Sequence, residues 1–223
     1  GLGFWAGIPW ALKMPLGHLV DLIWQRKNYL VFVGAGLIAL SVIIMYGLII
    51  HTETMASILK VETWFIVSAL LAPVGYVTQD VVADAMTVEA VPSTDDQGNK
   101  YSTQQIKIMH TTMQTLGRFA IIGGFVLVAL VNVVMFTGVS ALSEPEKIEI
   151  YGRIYLYALI IPIVSVSGVF LAMYLKRQRL EKLKKSGVSD EELKKLMTEF
   201  GVSTQPNWWI LGGSLVFVIF TLG

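Results

Sequence analysis

Residues 29–50 read YLVFVGAGLIALSVIIMYGLII, 22 residues without a charge. As a helix at a rise of about 1.5 Å per residue, the run covers roughly 33 Å, the thickness of a bilayer's hydrocarbon core. Inside lipid every backbone N–H and C=O must be satisfied within the protein, so a helix is the natural form of such a run. The whole chain agrees. It is 54% hydrophobic and 15% charged, where soluble domains carry about 25% charged residues, and its mean hydropathy is +0.64. The expected class is an all-α integral membrane protein.

Six segments are expected to span: roughly 1–20, 29–50, 62–91, 103–137, 144–175 and 207–223. Transmembrane strands would be about half as long and would alternate. Ser102 with Gln105, and Ser143 with Glu146, have capping-box spacing at the starts of the fourth and fifth segments. Pro73 and Gly75 predict a kink in the third, and Pro162 lies inside the fifth. Residues 176–206 form a polar connector opening with KRQRLEKLKK. Within it, Leu193, Leu196, Met197 and Phe200 share one face of a short amphipathic helix that begins near Ser189 and stops at Gly201. Gly1 and Gly223 both lie inside apolar runs, so the expectation is a piece of a longer protein.

Lys and Arg set the orientation. The loops 21–28, 92–107 and 176–206 hold Arg26, Lys27, Lys100, Lys107 and the basic connector; the other side has Lys60, Lys147 and Arg153. The first set is expected on the cytoplasmic side of a bacterial inner membrane. Trp5, Trp10, Trp24, Trp208 and Trp209 read as interface anchors.

Against this background the third segment is unusual. Its stretch VGYVTQDVVADAMTVEAV carries Gln79, Asp80, Asp84 and Glu89, and the two aspartates share one helical face. A carboxylate on a membrane helix costs on the order of 3 kcal/mol by insertion scales, so such groups face a bundle interior or an aqueous cavity. Two basic residues are not in loops, Lys13 and Arg118. Counted from the cytoplasmic ends, Lys13 and Asp84 both lie roughly 12 Å deep, and Arg118 is near the depth of Asp80. Depth therefore predicts the pairs Lys13–Asp84 and Arg118–Asp80. Two roles remain open: static pairs that pin helices together, or groups that bind solute, couple protons or gate. On the fourth segment His110, Gln114 and Arg118 recur every four residues. They read either as the lining of a water-filled path or as a solvated helix start. Trp10, beside Lys13, could stack on a flat ligand. His18 and His51 are expected at the interface.

Other chemistry is excluded or unsupported. With no cysteine, disulfides, thiolate metal sites and cysteine nucleophiles are out. There is no Walker sequence, and the carboxylates lack the His partners of a di-metal bundle site. No enzyme activity, metal, cofactor or nucleic-acid partner is expected.

The stretches I-P-W-A-L-K-M-P-L-G and Q-D-V-V-A-D-A-M-T-V-E resemble P-W-x-x-K-P-x-x-G and D-V-x-x-D-x-x-x-E of the folate–biopterin transporter branch of the major facilitator superfamily. Pro9, Trp10, Lys13, Gly17, Asp80, Asp84 and Glu89 fall on those positions. Met14 intervenes before Pro15. The loop G-H-L-V-D-L-I-W-Q-R-K resembles the superfamily's loop between helices two and three, with Gly17, Asp21, Arg26 and Lys27, though it lacks a glycine before the basic pair and is one residue longer. The resemblance implies helices two to seven of a twelve-helix fold: 1–175 within the N-terminal bundle, 176–206 the central cytoplasmic connector, and 207–223 the start of the second bundle. It further implies a secondary transporter that rocks one half against the other. The solute would be a small organic anion, of folate or pterin type, carried with protons, and the loop 17–27 would be the cytoplasmic latch. A related branch handles bacteriochlorophyll or assists light-harvesting assembly, so the alternative is a non-transporting membrane subunit of a larger complex.

Overall fold

The computed structural model describes residues 10–23, 26–92, 95, 99–185, 187 and 208–222. The described residues form eight α-helices and one 3-10 turn, with no strand. In chain order these are α1 (Lys13–Leu22), α2 (Asn28–Ile50), α3 (Thr52–Ile58), α4 (Val61–Glu89), α5 (Thr103–Phe136), the turn Val139–Ala141, α6 (Glu144–Ala158), α7 (Ile160–Lys185) and α8 (Trp208–Leu222).

Four stretches are long and apolar enough to cross a membrane: Asn28–Ile50, Val61–Val88, Thr103–Ala141 and Glu144–Lys185. They correspond to the expected second to fifth segments, and several apolar helices of this kind suggest a membrane-embedded protein. The expected first and sixth segments are represented by α1, with a helical turn at Trp10 and Ala11 before it, and by the 15-residue α8. The described portions of both are shorter than a full span. The amphipathic helix expected at 189–200 lies outside the described residues.

Local chemistry explains the helix starts. The Ser102 hydroxyl accepts from the Gln105 amide at 3.3 Å, and Gln105 Oε1 accepts from the Ser102 amide at 2.9 Å. Two otherwise orphaned donors are thereby satisfied reciprocally. At α6 the Ser143 amide donates to Glu146 Oε2 at 2.9 Å. The fifth expected segment divides at Leu159, between α6 and α7. Pro162 has no N–H to give to the Ala158 carbonyl, which interrupts the ladder there. The next bond, Ile163 N–H to Leu159 C=O, is long at 3.5 Å. Pro73, by contrast, sits inside the unbroken α4.

The centre of the bundle is the antiparallel pair α2 and α4. Helix α2 is apolar on every side, as suits a central helix, and it also packs on α6 and α7. Its seam with α4 is built from small residues. A Cβ on Gly34 would lie 2.7 Å from the Gly75 carbonyl oxygen, and one on Gly75 would lie 2.6 Å from that of Gly34. The two backbones touch, which only glycine permits. Seven residues along each chain, Ser41 Oγ donates to the Ser68 carbonyl at 2.8 Å, and Ser68 Oγ to the Ser41 carbonyl at 3.0 Å. Both serines are buried. Gln79 Nε2 donates to the Val31 carbonyl at 3.2 Å. Interhelical bonds of this kind average about 0.6 kcal/mol in membranes, so close packing, more than hydrogen bonding, carries the seam.

Beyond Gly34, Val31 joins Val20 of α1, Val77, Val81 and Val82 of α4, and Val169 of α7 in one buried cluster. At the opposite end Gly152 of α6 sits against Ile50 and Tyr46 of α2. Helix α8 packs on α1. Helix α5 is peripheral: its main neighbour is α4, and none of its residues is buried.

This seam predicts a contrast between two glycines of one helix pair. Gly75→Ala should lower stability by about 1–3 kcal/mol, the usual cost of overpacking. Gly36→Ala, with nothing within 4 Å of its Cβ, should be neutral or stabilising by up to about 1 kcal/mol. Unfolding in mixed micelles measures both.

Candidate functional site

The seam fixes the rotation of α4. With Gly75 and Gln79 turned to α2, Tyr76, Asp80 and Asp84 are left on the side that meets α1 and the groove beside it. Lys13, in the first turn of α1, reaches across. Its Nζ lies 2.6 Å from Asp80 Oδ2 and 3.1 Å from Asp84 Oδ2. One ammonium thus bridges two carboxylates one helical turn apart.

The two aspartates differ in surroundings. The Asp80 side chain is 23% exposed and that of Asp84 68%. Asp84 and Lys13 line an open groove of about 350 Å³ together with Gly17, Asp21, Val81 and Val88. The groove carries more carboxylate than ammonium charge. Above the lysine, Trp10 presents its ring with Nζ 6.0 Å from the centroid. That is the outer limit for a cation–π contact. Tyr76 meets Trp10 edge-on at 5.6 Å. Both rings are half exposed.

Depth alone assigned Asp80 to Arg118, and the structure corrects this. Lys13 takes both aspartates, and no hydrogen bond or ion pair joins Arg118 to Asp80 among the described residues. Arg118 is exposed on the peripheral α5. Equal depth constrains position along the membrane normal; it does not bring two helices side by side.

The other expected residues are dispersed. His110 is half-buried and Gln114 exposed, both on α5. An open groove does run along α5, lined by Lys107, Thr111 and Thr115, roughly a quarter turn from the His110–Arg118 stripe. Its threonines are satisfied locally: Thr111 donates to the Lys107 carbonyl at 3.0 Å and Thr115 to the Thr111 carbonyl at 2.8 Å. Such back-bonded hydroxyls need no ligand. In the loop 17–27, Asp21 and Arg26 are exposed, whereas Lys27 is only 4% exposed. His18, expected at the interface, is likewise buried at 4%. Glu89 ends α4, and its side chain lies outside the described residues.

Three participants were not anticipated. Tyr76 carries an aromatic signal four residues before Asp80. Ser41 and Ser68 carried none, because one serine in an apolar run is unremarkable in a helix. Gln79, grouped with the site by its polarity, belongs to the seam instead. Among the described residues no group of three His, Asp or Glu side chains could hold a metal ion.

The asymmetry around Lys13 predicts unequal mutants. Asp80→Asn should lower the thermal midpoint by roughly 2–4 °C, as for a loss near 1 kcal/mol, and Asp84→Asn by less, since the more exposed partner is better solvated. A thermal scan of the two variants in one detergent decides this. Set against known proteins, the chain matches no family model, no curated protein and no solved structure.

Proposed function

We propose that this chain belongs to a multi-pass secondary transporter of major facilitator type, closest to the folate–biopterin group. It would move a small organic anion by alternating access, with protons. The observation that supports this most is the shared lysine: Lys13 between Asp80 and Asp84 at an open groove. Intramembrane ionisable groups cost too much to be incidental, and they mark solute and proton paths more often than not. All three residues fall on the motif positions of the resemblance. Basic loops on one side set a consistent inward orientation, with 21–28, 92–107 and 176–206 in the cytoplasm.

In this reading Lys13 offers positive charge to the solute. Asp80 and Asp84 balance and couple it. Trp10 lies against the bound solute, and His110 and Gln114 border its path. Gly17, Asp21, Arg26 and Lys27 form the cytoplasmic latch, and Glu89 closes the acidic motif at the membrane surface.

A second reading has one observation in its favour. Helix α5 buries none of its residues, as would suit a membrane subunit that packs against a larger complex, for instance one that binds pigment.

Uptake of labelled folate into proteoliposomes of the full-length protein separates the two. The transporter reading expects accumulation driven by a proton gradient, and a loss of about tenfold or more in Asp84→Asn. Equal uptake by variant and parent removes Asp84 from the mechanism. No uptake by the parent favours the subunit.

A further inference from the structure

We propose that Asp84 is a built-in stand-in for the solute's anionic group: a carboxylate entering the groove displaces Asp84 from Lys13, and Asp84 takes up a proton as it leaves. This rests on the transport reading above and names its coupling element.

The geometry separates a permanent partner from an exchangeable one. Asp80 holds the ammonium at 2.6 Å and is the less exposed; Asp84 holds it at 3.1 Å, with its side chain two-thirds open to the groove. An incoming carboxylate can reach Lys13 from the groove side, where Asp84 stands. It offers the lysine the same atoms that Asp84 offers, so the exchange keeps the charge-assisted bond.

Charge then demands the proton. Lys13 is already outnumbered by Asp80 and Asp84, and Asp21 lines the same groove. Adding an anion beside an ionised Asp84 would crowd a further carboxylate charge around one ammonium, and like charges that close disfavour the ionised form. A proton on Asp84 removes that charge. No covalent bond changes: one ammonium–carboxylate contact is replaced by another, and one proton moves from water to Asp84. Anion and proton binding are thereby linked, and each must strengthen the other.

Other groups could in principle supply a pH dependence. Helix α1 carries His18 and Asp21 beside Lys13, and α4 carries Tyr76 and Asp80. The turn into α2 has Arg26, Lys27 and Tyr29, and α7 begins its basic run at Lys176. Helix α8 has no titratable residue. Of these, only Asp80 shares Lys13 with Asp84.

The test is equilibrium binding of labelled benzoate to the full-length protein in detergent, across a pH range above that in which benzoate itself protonates. The parent should bind about tenfold more tightly for each unit that pH falls, as one linked proton requires. Asp84→Asn, its internal competitor gone, should bind at least as tightly as the parent at its best, with a flat profile. Lys13→Gln should lose binding, and His18→Gln should keep the parent's slope. The proposal is overturned if Asp84→Asn retains that slope, if Lys13→Gln still binds, if His18→Gln flattens the profile, or if the parent binds no benzoate. Folate uptake in proteoliposomes is read separately, so failure of the displacement with uptake intact is distinct from failure of transport itself.

Discussion

The contact between the Gly34 and Gly75 backbones holds the arrangement together. In lipid, apolar side chains gain nothing by leaving the bilayer for one another, so helices associate through close packing and a few polar bonds. Two glycines that meet backbone to backbone bring α2 and α4 as near as helices can come. The crossed serine bonds seven residues away repeat the contact at the next heptad. Together they permit one rotation of α4 and one register. A rotation by one residue would move Ser68 from Ser41 and drive a side chain into the Gly34 backbone.

That rotation decides what the acidic stretch can do. The same helix that turns Gly75 and Gln79 to α2 necessarily turns Asp80 and Asp84 toward α1, where Lys13 stands in the first turn. Polar groups of the seam and polar groups that meet Lys13 are therefore interleaved along a single helix. Gln79 serves the seam through Val31, and its neighbour Asp80 serves the lysine. Val77, Val81 and Val82 of the same helix pack with Val20, Val31 and Val169 in the buried cluster, while Asp84 stays at the open groove.

How much of this could be read from the residues depended on the range of the interaction. The capping serines Ser102 and Ser143 were legible because a cap is settled within four residues. The four long apolar helices, at the expected second to fifth segments, were legible because bilayer thickness fixes their length. The meeting of Lys13 with Asp84 was legible because helical rise fixes depth. Rotation and neighbourhood were not, and there the expectations fail: Arg118 was matched to Asp80 by depth, although α5 stands at the edge of the bundle. Gln79 looked like a site residue because polarity does not say which face a residue takes. Ser41 and Ser68 gave no signal at all, since their meaning exists only when two helices meet. The division of the fifth segment at Leu159 followed from Pro162, but its position had to be seen.

The central claim is that the α2–α4 seam sets the face on which the charges stand, and the absence of native cysteine makes it directly measurable. Ser41→Cys with Ser68→Cys, whose hydroxyls lie 2.9 Å apart, should form a disulfide readily in native membranes. It would be detected by cleaving the 51–60 connection and finding the two fragments still joined until reduced. Leu40→Cys with Ser68→Cys, with Leu40 half exposed on another face of α2, should stay unlinked. A linked 40–68 pair beside an unlinked 41–68 pair would mean that the helices meet on other faces, and the placement of Asp80 and Asp84 against Lys13 would fall with it.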